Sequence, residues 1–265
     1  MSPRAHSTAV FDVIRTLWQV APDDPLAQLL PRDQESLQNF YDRFRAFVAA
    51  APRMSGGYVD PRAYVDGDII SMGPGSVIEA GAVVQASCRL ILGARSTVRA
   101  GAVLRDEVVV GPDCLIGVHC EVVRSLILGP NTYLGHFNYV ADSIIGGDVN
   151  IAGNVMVANT TVTRRRSIPL VHNGVKTDSG RSHLGALVGD GVRFGASTTI
   201  CPGCIVLPGL ALPPSVTLYG TIDAARRVAL MKSFSRTWAA DLETASRRDS
   251  NRSGTTRGAA VRFRQ

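Results

Sequence analysis

The chain has 265 residues, 45% of them hydrophobic, with 26 glycines and a net charge of +6, a composition that suits a turn-rich β fold and excludes disorder for most of its length. Five of the six net positive charges fall in residues 246–265, which hold six arginines and one aspartate, so no aromatic-interleaved basic surface points to nucleic acid. No run of about 18 apolar residues is available to span a bilayer, and the first residues lack the apolar core of a secretory signal; the expected compartment is the cytoplasm, with neither a membrane nor nucleic acid as a partner.

Residues 1–57 read as a helical segment. Val10, Val13, Ile14, Leu17 and Trp18 recur at helical spacing, Pro22 and Pro25 interrupt it, and Leu37, Phe40, Tyr41, Phe44 and Phe47 resume it, which predicts two amphipathic helices serving as a cap or packing element.

Residues 58–220 follow a different rule. Leu92, Val98, Leu104, Val110, Ile116, Val122, Leu128, Leu134 and Val140 place an aliphatic residue at every sixth position, and Gly, Asp or Asn recurs at the turns. A period of six fits neither the helix nor the plain strand, so each hexad is a short strand plus a corner, stacked on its neighbours as a parallel β-helix. Three hexads make one triangular coil, and about seven or eight coils at ~4.8 Å each predict a prism roughly 35–40 Å tall. The period starts at Val59 and Val65, slips before Leu92, shortens by one at Ile145, and stops after Val157.

Residues 160–186 break the repeat and carry Arg164, Arg165, Arg166, His172, Lys176, Arg181 and His183, as a functional excursion loop does. The basic stretch with Lys176 is either a solvated excursion or a contact for the phosphates of a ligand. Val188, Phe194, Ile200, Val206, Leu212 and Leu218 restore the period. Residues 221–247 read as a terminal helix with Ala224, Val228, Met231, Trp238 and Leu242 on its apolar face, and residues 248–265 as a disordered basic tail.

Five cysteines, an odd number, argue against a disulfide framework. Cys114 and Cys120 keep step with the hexads as inward fillers, and Cys201-Pro202-Gly203-Cys204, lacking a second pair, reads as structural filler too.

Gly135-His136-Phe137-Asn138-Tyr139, Asp148-Val149-Asn150-Ile151, and Ser179-Gly180-Arg181 through His183-Leu184-Gly185-Ala186 carry a resemblance. Across residues 58–220 the chain resembles the left-handed β-helix acetyltransferase half of the bifunctional N-acetylglucosamine-1-phosphate uridyltransferase/glucosamine-1-phosphate acetyltransferases, and more closely their archaeal sugar-1-phosphate nucleotidyltransferase relatives. The resemblance implies a homotrimer with sites between prisms, acetyl-coenzyme A as acyl donor and an amino sugar phosphate as acceptor. It implies His136 as catalytic base, Asn159 as its assistant near the thioester, and Tyr139 and Asn150 as acceptor ligands. Arg105, sixteen residues before Glu121, matches a phosphate-binding arginine. One extra residue between Glu121 and His136 puts the phosphate-binding lysine of the family on Val123 or Arg124, and the nucleotide-binding domain has no counterpart.

These residue types suit the chemistry. An ammonium cannot attack a thioester until a base takes its proton, which a histidine of pKa about 6.5 can do. An amide such as that of Asn159 can donate to the developing oxyanion. Two other readings stand beside this one. His119 and His136, seventeen apart, raise a β-helical metal hydratase, although a third histidine at short spacing is missing and no metal is expected. A noncatalytic hexapeptide-repeat scaffold is the other, against which His136, Asn150 and Asn159 speak.

Overall fold

A computed structural model describes residues 13–14, 16–20, 26–32, 35–163 and 166–236. Val10, Pro22, Pro25, Arg164, Arg165, Trp238, Leu242 and the basic tail lie outside the described residues.

Between Met54–Ser55 and Thr221–Ile222 short parallel strands stack into three faces. The first face has eight strands, from Tyr58–Val59 to Ala211–Leu212. The second starts at Tyr64–Val65 and ends at Thr217–Leu218, and the third starts at Met54–Ser55 and ends at Thr221–Ile222. The architecture is the expected β-helix of hexapeptide repeats, consistent with the left-handed form, and it has about nine coils rather than seven or eight. The added turn is built from sequence on either side of the clean repeat, at Met54–Ser55 and Thr221–Ile222.

Inward positions form one continuous core. Ile78, Val98, Ile116, Leu134, Ile151 and Phe194 stack up the first face, and Val84, Leu104, Val122, Val140, Val157 and Ile200 up the second. Cys88, Cys114, Cys120 and Cys204 are buried in it as free thiols, and burial pushes the Cys88 and Cys114 thiols up to about 12. Leu128 departs from the expected pattern. The register slips at Arg124, between Val123 and Ser125, so Ile127 takes the inward place and Leu128 faces out, buried against the N-terminal segment.

The third face is apolar on both sides, as sheets covered on both faces are. Ile70, Val109, Leu126, Ile144, Leu187 and Ile205 point outward into a second core. The helix Leu37–Ala50, here α1, fills it with Leu37, Phe40, Tyr41, Phe44 and Val48. Ser36 caps α1, accepting from the Asn39 N–H at 3.1 Å. Upstream, Ile14, Leu17 and Trp18 join the same cluster, and the Trp18 indole donates to the Val188 carbonyl at 2.7 Å. The N-terminal segment is therefore a side cover, not an end cap. Residues 224–236 are helical. This helix starts later than expected because Thr221–Ile222 still pairs as a strand, and Asp223 caps it, accepting from the Arg226 N–H at 2.8 Å.

The excursion leaves after Met156–Val157 and returns at Ala186–Val188, between the second and third faces. It folds into the hairpin Pro169–His172 with Val175–Asp178. Asn173 and Gly174 both adopt positive φ, the conformation a two-residue hairpin turn requires.

Candidate functional site

The sequence-predicted residues gather on and around the second face. Glu121 pairs with Tyr139 in the next coil and with Val103 in the coil below. Arg105 extends from that lower coil to Glu121 at 2.5 Å, both side chains about one-third exposed. Burial, and then the Glu121 carboxylate, hold the Tyr139 phenol above its ordinary range, with Arg105 and Arg124 opposing. The Arg105 Nε is buried without a hydrogen-bond partner. Arg105, Glu121 and Tyr139 thus form one polar patch between two corners.

His136 stands at the first of those corners, where the chain turns from the first face to the second. It is exposed, and so is Phe137, which has φ 57° and stacks on His119 in the coil below with ring centroids 5.4 Å apart. The corner is tight enough to need glycine beneath it: at Gly101, with φ 72°, a Cβ would come within 2.2 Å of the His119 ring. Asn138 turns inward and accepts from the Val155 N–H at 2.7 Å, which fixes the backbone after His136. Asn150 points out of the first face, one coil above Tyr133. Among the described residues no group of three or more His, Cys, Asp or Glu can hold a metal ion.

The second corner is closed. Asp106, Arg124 and Asp142 lie one above another in adjacent coils, all at positive φ. Arg124 bridges the two carboxylates, contacting Asp106 and donating from Nε to Asp142 at 2.9 Å. Asp142 is fully buried, and Asn159 donates to its other oxygen at 2.6 Å while the Arg181 Nη2 lies 3.5 Å away. The Asp142 carbonyl accepts from the Tyr41 hydroxyl at 2.6 Å and from Gly185 N–H at 2.9 Å. Asn159 holds the stem of the excursion as well, accepting from the Leu184 N–H. Hydrogen bonding to Asp142 raises the Arg124 guanidinium, burial lowers that of Arg181, and burial pushes the Tyr41 phenol above its usual range.

Within one chain the structure brings Arg105 and Tyr139 together, with Arg124 at the adjacent corner, but His136 and Asn159 stand at opposite edges of the second face. Arg166 and Lys176 part company as well. Lys176 lines a largely apolar cavity of about 770 Å³ formed by the hairpin and the last coil, with Pro169, Val171, Cys201, Tyr219 and Arg226. Arg166 lines a second, polar cavity against α1. Sequence reasoning missed Tyr41, Asp142 and Arg181 as partners. The one available signal was the eighteen-residue step, one coil, that stacks Asp106, Arg124 and Asp142.

Residues 89–208 match the family model of the GMPPB C-terminal domain. The chain has a hexapeptide-repeat β-helix fold. The chain is 36% identical over 83 residues to a bifunctional sugar-1-phosphate nucleotidylyltransferase/acetyltransferase of Sulfurisphaera tokodaii, covering 31% of this chain and 20% of that protein. Against the bifunctional protein GlmU of Methanococcus vannielii the figures are 36% over 81 residues, 31% and 19%. The β-helix protein thus matches about a fifth of the length of these relatives. Among solved structures, the N-acyltransferase AntD of Bacillus cereus, crystallised with dTDP and coenzyme A, is 16% identical with a TM-score of 0.36, covering 59% of this chain and 77% of its own. PerB of Caulobacter crescentus, in complex with coenzyme A and GDP-perosamine, is 17% identical with a TM-score of 0.22, covering 82% and 88%. Likenesses of that size carry no argument about chemistry. Among the described residues no helix is long and apolar enough to cross a membrane.

Proposed function

We propose that this protein transfers an acyl group, acetyl in the first instance, from coenzyme A to the amine of an amino sugar phosphate such as glucosamine 1-phosphate. The observation that carries this reading is the patch on the second face, where Arg105, Glu121 and Tyr139 lie side by side next to the His136 corner. An imidazole nitrogen of His136 removes a proton from the amine as its nitrogen attacks the thioester carbonyl carbon. The carbon–sulfur bond then breaks, and the proton passes to the departing thiolate. Arg105 meets the acceptor phosphate by charge-assisted hydrogen bonds, Tyr139 and Asn150 contact its sugar, and Arg124 adds positive potential from the corner. Asn159 uses one amide hydrogen on Asp142 and retains a second for the oxyanion. Lys176 at the rim of the apolar cavity meets a phosphate of the donor, whose pantetheine arm suits the apolar lining.

Because His136 and Asn159 occupy opposite edges of one face, the reading requires a homotrimer in which the edge of one copy meets that of the next. The first test is thiol release from acetyl-coenzyme A with glucosamine 1-phosphate, other amino sugar phosphates and their dephosphorylated analogues. Release above the no-acceptor rate for an amino sugar phosphate is expected, and no release with any amine sinks the proposal. Mixing inactive His136→Ala and Asn159→Ala chains should then restore part of the activity through mixed trimers. A competent monomer would defeat the shared-cleft arrangement while leaving the chemistry in place.

A further inference from the structure

The polar cavity beside α1 is built mostly from elements outside the hexads. It holds about 440 Å³ and is lined by Arg45 and Gln38 of α1, Arg124 of the closed corner, and Arg166, Arg181 and His183 of the excursion, with no carboxylate among its lining residues. We infer that this cavity is a binding site for a small diphosphate or phosphate ester, held between the N-terminal helix and the excursion and separate from the acceptor patch around Arg105.

Charge and geometry carry the inference together. Four guanidinium groups converge on one recess, and their carboxylate partners stand behind them. Arg124 faces Asp106 and Asp142, Arg181 shares Asp142, and Arg45 reaches Glu107 only at 3.7 Å. Arg166 is exposed and has no ion-pair partner among the described residues. Asp106, Asp142 and Glu107 set three carboxylates against these four cations, so one positive charge is left for an anion to meet. Burial lowers the Arg181 guanidinium first of all, Tyr41 and Asp142 oppose it, and Arg45 and Arg124 add to the lowering; a bound anion offsets these last two.

Two of the four groups are fixed before any ligand arrives. Arg181 is 8% exposed, lies 3.8 Å over the Tyr41 ring and donates to Gln38 at 3.2 Å, while Arg124 is locked between its two aspartates. Arg45, half exposed, and Arg166 are free to close from either side. The forks of Arg45 and Arg166 suit phosphate oxygens, which guanidinium groups bind two at a time, while Arg124, whose Nε and Nη2 both hold Asp142, and Arg181, whose Nε and Nη1 donate to the His183 carbonyl and to Gln38, add positive charge behind them. The volume, polar lining and absence of an apolar wall fit a diphosphate rather than a sugar ring or an acyl chain.

The inference does not rest on the acyltransferase reading, and its test needs no activity. Full-length protein is titrated calorimetrically with inorganic pyrophosphate at low ionic strength. Saturable binding to one site is expected, and Arg45→Ala and Arg166→Ala, both on exposed side chains, should each weaken it about tenfold with the melting temperature unchanged. Arg105→Ala should leave the pyrophosphate affinity as it is. Competition then identifies the source of the diphosphate: displacement by coenzyme A points to the donor, displacement by UDP alone to a sugar nucleotide, and displacement by neither to free pyrophosphate. All three keep the site. Absence of saturable binding, wild-type affinity in both arginine variants, or loss of binding in Arg105→Ala overturns it.

Discussion

The two edges of the second face share a backbone design and differ in what covers them. Each is a column of corner residues in the left-handed region, Asp106, Arg124 and Asp142 on one side and His119, Phe137 and Asn154 on the other. At the first, α1 and the excursion close over the column, and every oxygen of Asp142 meets a donor. At the second, His136 and Phe137 stand open to solvent. The same local conformation therefore serves two ends. A corner whose charges are already matched holds the fold together, while a corner left open leaves its imidazole exposed, as the proposed base requires.

That contrast is open to direct test. Removing the imidazole by His136→Ala should lower kcat by about two to four orders of magnitude, the usual range for loss of a general base, and leave the melting temperature where it was. Near-wild-type turnover would remove His136 from the chemistry and with it the difference between the corners. Asp142→Asn should do the reverse. It keeps a residue tolerant of positive φ but deletes the charge facing Arg124 and the buried Arg181, so urea unfolding should show a loss of about 3–5 kcal/mol. A loss below about 1 kcal/mol, within the range of surface pairs, would mean that the corner is held by packing alone.

The sequence made one of these corners far more legible than the other. Hexad periodicity needs only inward aliphatics at a fixed step, so Ile116, Val122 and Leu134 announce the coils without any tertiary information, and the motif around His136 sits in that same frame. It failed at Leu128, because a one-residue difference between adjacent coils at Arg124 is invisible when every neighbouring position is also aliphatic. The closed corner joins Tyr41, Asp142 and Arg181, separated by 101 residues between the first two alone, and no local pattern links them. The amphipathic spacing of Leu37, Phe40, Tyr41 and Phe44 showed that α1 has a face to bury, but whether it covers the end or the side depends on the outward apolar residues of the third face, such as Val109 and Leu126. Those read as ordinary members of apolar strands.

A smaller effect asks how far the acceptor patch depends on charge. Arg105 shares its charge with Glu121 and has a buried Nε without a partner, so a phosphate on the acceptor would complete its hydrogen bonding. Arg105→Ala should cost about 1.5–3 kcal/mol in kcat/KM for a phosphorylated amine and little for the dephosphorylated analogue. Equal losses on both would make Arg105 a structural partner of Glu121, and the patch would then belong with the closed corner rather than the open one.

The mildest perturbation is Ser36→Ala. It removes only the cap of α1, in which the Ser36 hydroxyl accepts from the Asn39 N–H, and should cost about 1 kcal/mol. The cost is small, but its location is informative, because α1 carries Tyr41 and Arg45 over the Asp142 corner and touches nothing at His136. Native-state hydrogen exchange should therefore show faster exchange at Gly185, whose N–H donates to the Asp142 carbonyl, and at the α1 amides, with Tyr139 and Val140 unchanged. Equal acceleration at both edges would show that the prism and its side cover open as one unit, and the division between a covered corner that stabilises and an open corner that reacts would lose its physical basis.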